Sequence, residues 1–145
     1  MEHEEQSIRR HLFRFFRDDT GLESIEAAIT IPIMITIMLA IFQFGILVYT
    51  TQMTQEAARQ GARMGSVVQG GGGAEVARHE AAAYIHRALP IGSPRVDILA
   101  PGGIVGSYLR VRVTCTVPNY MGSLVPGLPP QWDVRGEATF RQEGW

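Results

Sequence analysis

There is no lysine in this chain: all 13 basic residues are arginine, set against 14 Asp and Glu, for a net charge of −1. A balance so close to neutral supplies no basic field, and nucleic-acid binding is set aside. The missing lysine also removes the Gly-Lys-Ser/Thr ending that a phosphate-cradling loop needs, so the run Gly70-Gly71-Gly72-Gly73 is not such a loop. Cysteine is almost absent too. The single Cys115 excludes an intramolecular disulfide, and the fold cannot rely on oxidative staples. The most telling absence is local: from Ala27 to Gln55, 29 consecutive residues carry no charged side chain.

Within that stretch, Ala27 to Tyr49 reads AAITIPIMITIMLAIFQFGILVY. As a helix this segment would be about 35 Å long, enough to cross a hydrocarbon core with some tilt. Pro32 sits one turn inside it and removes a backbone donor, so a kink is expected there. Arg9, Arg10, Arg14 and Arg17 precede the segment, whereas Arg59 and Arg63 follow it. The positive-inside bias therefore places the N-terminus in the cytoplasm and the C-terminal two-thirds outside. A cleaved secretory signal fits less well, because the apolar stretch is too long.

The first 20 residues differ in kind. From Ser7 to Arg17, arginines alternate with Ile8, Leu12, Phe13, Phe15 and Phe16, the pattern of a basic segment lying on an anionic membrane surface or of a solvated leader. Thr20, with Glu23 three residues on, forms a capping box for the long helix. Helix initiation accounts for Glu23, since carboxylates in a first turn favour its positive end by roughly 0.3–1 kcal/mol. Glu26 abuts the apolar run, where desolvation would outweigh so small a gain, and it is a functional candidate.

A charged leader, then Gly21, a glutamate at the fifth position after it and a long apolar helix together resemble a type IV prepilin. More specifically, Gly21-Leu-Glu-Ser-Ile-Glu-Ala-Ala28, the run containing Phe42-Gln-Phe-Gly45, and Gln55-Glu-Ala-Ala-Arg-Gln-Gly-Ala-Arg63 resemble the TadE-like family, minor pseudopilins of the tight-adherence (Flp) pilus system. Tyr108-Leu-Arg-Val-Arg-Val-Thr114 and Val134-Arg-Gly-Glu-Ala-Thr-Phe-Arg-Gln-Glu143 are similar to that family's closing strands. The resemblance implies cleavage between Gly21 and Leu22 by a prepilin peptidase, and a location in the bacterial inner membrane. The implied partners, besides membrane lipid, are the major and minor Flp pilins and an inner-membrane assembly platform driven by a cytoplasmic ATPase. Glu26 would become the fifth residue of the mature chain and would neutralise the new ammonium of Leu22 on another subunit, a pairing that makes burial of both charges tolerable. No cofactor is implied. The other reading is an uncleaved, membrane-anchored envelope binding or sensory module.

Beyond Tyr49 the helix is expected to continue, because Gln52 to Val68 is rich in Ala, Gln, Glu and Arg. Ala57, Gly61 and Gly65 recur every fourth residue, a small-residue row that admits close approach by a partner helix or by the protein's own domain. Gly70 to Gly73 is expected to be a hinge. Ala74 to Leu89 reads as a second helix ended by Pro90, with Val76, Ala83, Ile85 and Leu89 toward its buried side. His79 and His86 lie two turns apart on it, but Ala83 stands where a zinc-protease motif would place its second histidine, so they are expected to be solvated or capping rather than metal-binding.

Three extended segments follow: Arg95 to Leu99, Tyr108 to Val117 and Val134 to Arg141. The second alternates Leu109, Val111, Val113, Cys115 and Val117 with Arg110, Arg112, Thr114 and Thr116, so Cys115 takes its place as a small core residue rather than a reactive thiol. The loop from Pro118 to Pro130 carries Tyr120, Met121, Leu124, Val125 and Leu128, with Trp132 beside it, and is expected to fold back as a lid on the sheet or to present a contact surface. The serines Ser93, Ser107 and Ser123 lie in turns without a suggestive base, and no catalytic residue is assigned. The expected class is α+β: a leader over 1–21, a transmembrane helix extending outward over 22–69, a glycine hinge over 70–73, and a small extracytoplasmic domain over 74–145 with a helix and an antiparallel sheet.

Overall fold

A computed structural model describes residues 19–68, 71–89, 94–122, 125 and 127–143, with the backbone alone for 19–22. The leader's alternating Arg and Phe residues lie outside these, as do Pro90, Ser93, Ser123, Leu124 and half of the glycine pair Gly70-Gly71. The architecture is α+β. Helix α1 (Asp19–Ser66) is followed by α2 (Gly73–Ala88) and by strands β1 (Arg95–Pro101), β2 (Tyr108–Pro118) and β3 (Gln131–Arg141). The strands form one antiparallel sheet in the order β1-β2-β3.

Helix α1 runs unbroken through Pro32, and Thr36 donates its hydroxyl to the Pro32 carbonyl at 2.8 Å. Because the helix begins at Asp19, Thr20 lies within it rather than at its cap, which corrects the boundary drawn from the capping box. By packing, the chain divides between Ala40 and Ile41, inside α1 and not at the glycines. In the unit that ends at Ala40, the apolar side chains from Ile25 to Met38 are exposed. This helix is long and apolar enough to cross a membrane.

The second unit, from Ile41 onward, has its own core. Alternation along β2 buries Leu109, Val111, Val113, Cys115 and Val117, while Arg110, Arg112, Thr114 and Thr116 face away from the core. On that outer face Arg112 meets Glu137 at 3.0 Å and Thr116 donates to Asp133 at 3.0 Å, exposed pairs of small energetic weight. The inner face receives Ala57, Ala58 and Ala62 of α1 and Ala77, Ala81 and Ile85 of α2. Each large buried aliphatic side chain stabilises by about 1.5–3 kcal/mol, but the alanines contribute differently, by letting backbones come close.

That closeness explains what the sequence reading missed on α2. Ala77 and Ala81 are wholly buried, whereas Val76, Ala83 and Leu89 are only half-buried. A β-carbon added at Gly61 would stand 2.5 Å from the Ala77 carbonyl oxygen and 2.7 Å from the Ala81 methyl, so the larger residues must sit at the flanks of the contact. The glycine linker is likewise not simply a hinge. Gly71 has a φ of 85°, a left-handed turn suited to glycine, but Gly73 is buried as the first residue of α2, with no room for a side chain beside the Gly65 carbonyl. Strand β1 runs two residues beyond Leu99 to Pro101, with a register shift between Ile98 and Ala100.

The third close approach involves Gly136 on β3, which faces inward between Val134 and Ala138. A β-carbon there would lie 2.5 Å from the Thr54 carbonyl carbon and 2.6 Å from the Gln55 nitrogen. We expect Gly136→Ala to destabilise the full-length chain by roughly 1–3 kcal/mol through overpacking. Thermal unfolding in detergent micelles would read this as a lowered Tm, and an unchanged Tm would show that the helix does not seat on the strand.

Candidate functional site

Gly21 and Leu22 lie in the first turn of α1, so the peptide bond between them is helical. Glu26 follows one turn later and is exposed, as are Glu23, Ile25 and Ile29 around it. Among the described residues no cation pairs with Glu26. Among the described residues, the carboxylate thus stands exposed and without a cation at the mouth of an exposed apolar cylinder.

The small-residue row lies elsewhere on α1, and the structure resolves what it packs against. Ala57 is fully buried in the core cluster, Gly61 lies on Ala77 and Ala81, and Gly65 lies on Gly73, Ala77 and Leu109. All of these contacts are within the second unit, so the row serves the protein's own α2 and β2 rather than a partner helix.

Sequence reasoning assigned no role to three glutamines that use both ends of their amides on backbone groups. Gln43, in the apolar run, is 2% exposed; it donates to the Pro118 carbonyl at 3.2 Å and accepts from the Tyr120 N–H at 3.0 Å. Gln55 donates to the Glu137 carbonyl at 2.7 Å and accepts from the Glu137 N–H at 3.2 Å, on the outer edge of β3. Gln142 donates to the Val68 carbonyl at 2.7 Å and accepts from the Gly103 N–H at 2.6 Å. The signal for Gln43 was present, because a lone amide in an uncharged apolar run must find partners.

The Gln43 clip holds the loop after β2 at its start. Asn119, also buried, donates to the Pro129 carbonyl at 2.7 Å and accepts from the Met121 N–H at 3.1 Å, closing the loop on itself. Tyr120, Val125 and Leu128 remain exposed, so among the described residues the loop presents apolar side chains outward instead of covering the sheet as a lid.

Beneath the Gln43 contact lies a cavity of about 590 Å³, bounded by Ile41, Phe42, Ile46, Leu89, Val117 and Tyr120 among others. Cys115 also reaches its wall. Burial pushes the Cys115 thiol above its ordinary value of 9.0, while a hydrogen bond with the Thr54 side chain pulls the other way. His79 and His86 are exposed, with His79 Nδ1 3.7 Å from Glu80 Oε1. Among the described residues no group of three or more His, Cys, Asp or Glu side chains could hold a metal ion.

Residues 21–63 match a family model described as TadE-like protein. The match opens at Gly21, includes Glu26 and closes within the small-residue row, and it is the family that the Gly21–Ala28 and Gln55–Arg63 segments resemble. The strand segments 108–114 and 134–143 fall outside it. No curated protein and no solved structure matched the chain.

The raised Cys115 value has a definite sign. The folded chain keeps the thiol protonated to higher pH than the unfolded chain, so this contribution to stability is intact below 9.0 and is lost as pH rises above it. Alkylation of the folded chain by iodoacetamide should accordingly be slow near neutrality and climb with pH beyond 9.0, while the urea-unfolded chain reacts at least about tenfold faster at neutral pH. Equal rates for folded and unfolded chains, read by intact mass, would mean that Cys115 is an accessible thiol.

Proposed function

We propose that this protein is a pilin-like membrane subunit, a pseudopilin for assembly of a Flp-type type IV pilus, processed by a prepilin peptidase between Gly21 and Leu22. What carries the reading is the match of residues 21–63 to the TadE-like family, a range that begins at Gly21 and contains both Glu26 and the apolar helix. In this reading α1 anchors the subunit in the inner membrane with its N-terminus cytoplasmic, and the unit from Ile41 onward carries the small outer domain. The work is assembly rather than catalysis. The partners are the peptidase, the major and minor Flp pilins, and the inner-membrane platform.

The role of Glu26 follows from elementary electrostatics. Cleavage would create an ammonium on Leu22 at the depth of the apolar run, where neither charge is well solvated. Pairing Glu26 of one subunit with the ammonium of another offsets the desolvation of both, and the exposed carboxylate, which has no cation partner among the described residues, supports that use. An uncleaved anchored binding module is the second reading. It is favoured by one observation, that α1 begins at Asp19 and carries the Gly21–Leu22 bond inside a helix.

N-terminal sequencing and intact mass of the protein from its native membrane, with and without the peptidase, separate the two. The expected result is an N-terminus at Leu22 that appears only when the peptidase is present; an intact leader in both cells would establish the anchored module instead. Glu26→Gln should leave membrane insertion unchanged, as read by carbonate extraction, and reduce piliation. Normal piliation in that variant would remove Glu26 from the mechanism.

A further inference from the structure

Gly61, Gly65, Gly73 and Gly136 are explained by what a side chain would strike. Gly45 is not. It lies within helix α1, where glycine costs stability relative to alanine, yet beyond its own helix backbone nothing among the described residues comes within 4 Å of the position its β-carbon would take. The open space beside it belongs to the cavity below Gln43, of about 590 Å³. Among the described residues no charged side chain lines that cavity. Its volume falls in the range of small-ligand sites, roughly 300–1,000 Å³.

We propose that this cavity takes one acyl chain of a membrane lipid. The proposal rests on the reading of the apolar run as membrane-spanning. Ile41, Phe42, Gly45, Ile46 and Tyr49 of the lining all belong to the uncharged stretch that ends at Gln55, so the cavity is reached from hydrocarbon rather than from water. Its occupant must be slender. One turn before Gly45 stands Ile41 and one turn after it Tyr49, so there is no row of small residues along which a second helix, about 10 Å across, could come close. Lipid tails are as apolar as the leucines they would touch, so the gain is one of packing: an unfilled cavity forfeits dispersion contacts on every wall, and a flexible chain entering past Gly45 restores them. The far wall, with Leu89, Val117, Pro118 and Tyr120, comes from outside the spanning run, which sets this site apart from the general lipid contact of an exposed helix.

The test uses the full-length chain in vesicles of phosphatidylethanolamine and phosphatidylglycerol with a trace of phosphatidylcholine bearing a diazirine on its acyl chain. After irradiation, adducts are mapped by peptide mass spectrometry. We expect adducts on Leu89 and on the Val117–Tyr120 segment in addition to those along Ile29–Met38. Gly45→Leu starts a side chain in open space, since its β-carbon meets nothing, and should cut the Leu89 and Val117–Tyr120 adducts about tenfold, as a competitor occupying the site would, while leaving those at Ile29–Met38 unchanged. Adducts confined to Ile29–Met38 would overturn the site and leave the membrane-spanning reading standing; adducts on none of these segments would overturn both. Adducts at Val117–Tyr120 that persist in Gly45→Leu would place the lipid elsewhere. If Gly45→Leu does not insert, the map of the native sequence decides.

Discussion

The fold depends on backbones touching where side chains are missing. Gly61 against Ala77 and Ala81, Gly65 against Gly73, and Gly136 against Thr54 bring α1 within contact of both α2 and β3. A domain of this size has few large residues to bury, and its core is mostly alanine and valine with Ile85 and Leu109. Dispersion falls steeply with separation, so alanine-rich surfaces stabilise only when they are nearly in register and close. The glycines are the condition for that closeness, and a methyl group at any of them separates a whole element from its neighbour.

Close packing leaves backbone polar groups to be satisfied at the seams, and the glutamine amides do this. Gln43, Gln55 and Gln142 each supply a donor and an acceptor in one planar group, matching a carbonyl and an N–H of the facing chain. The geometry resembles a ladder rung made by a side chain, and it fixes register as a rung would. At Gln43 the choice is constrained by its surroundings. A charged residue in that position would have to leave the apolar run, whereas an amide can stay once both its ends are bonded.

The α+β class, the long helix, the helix after the glycines and the three strands were legible because periodicity survives wherever one face is buried. Alternation from Leu109 to Val117 placed Cys115 inward, where it is found. What was not legible came from tertiary contact. Nothing local distinguishes Ala77 and Ala81 from the other alanines of α2; only the position of Gly61 across the interface selects them. The outward half of α1 carries the composition of a membrane segment, yet from Ile41 it belongs with the sheet, because Gln43 and Thr50 are buried there. Of the candidate site, Gly21 and Glu26 were visible as a motif, whereas Gly45 acquires its meaning only from the emptiness beside it.

The two edges of the sheet are guarded by different means. On β3 the outward-facing N–H and carbonyl of Glu137 are already taken by Gln55. On β1 the register shift between Ile98 and Ala100 bends the strand, and Arg95, Asp97 and Pro101 are poor neighbours for another strand. Both borders are thus blunted as templates for strands of other molecules. The apolar surface of α1 stays open from Ile25 to Met38, and α1 is the element left with valence to spare.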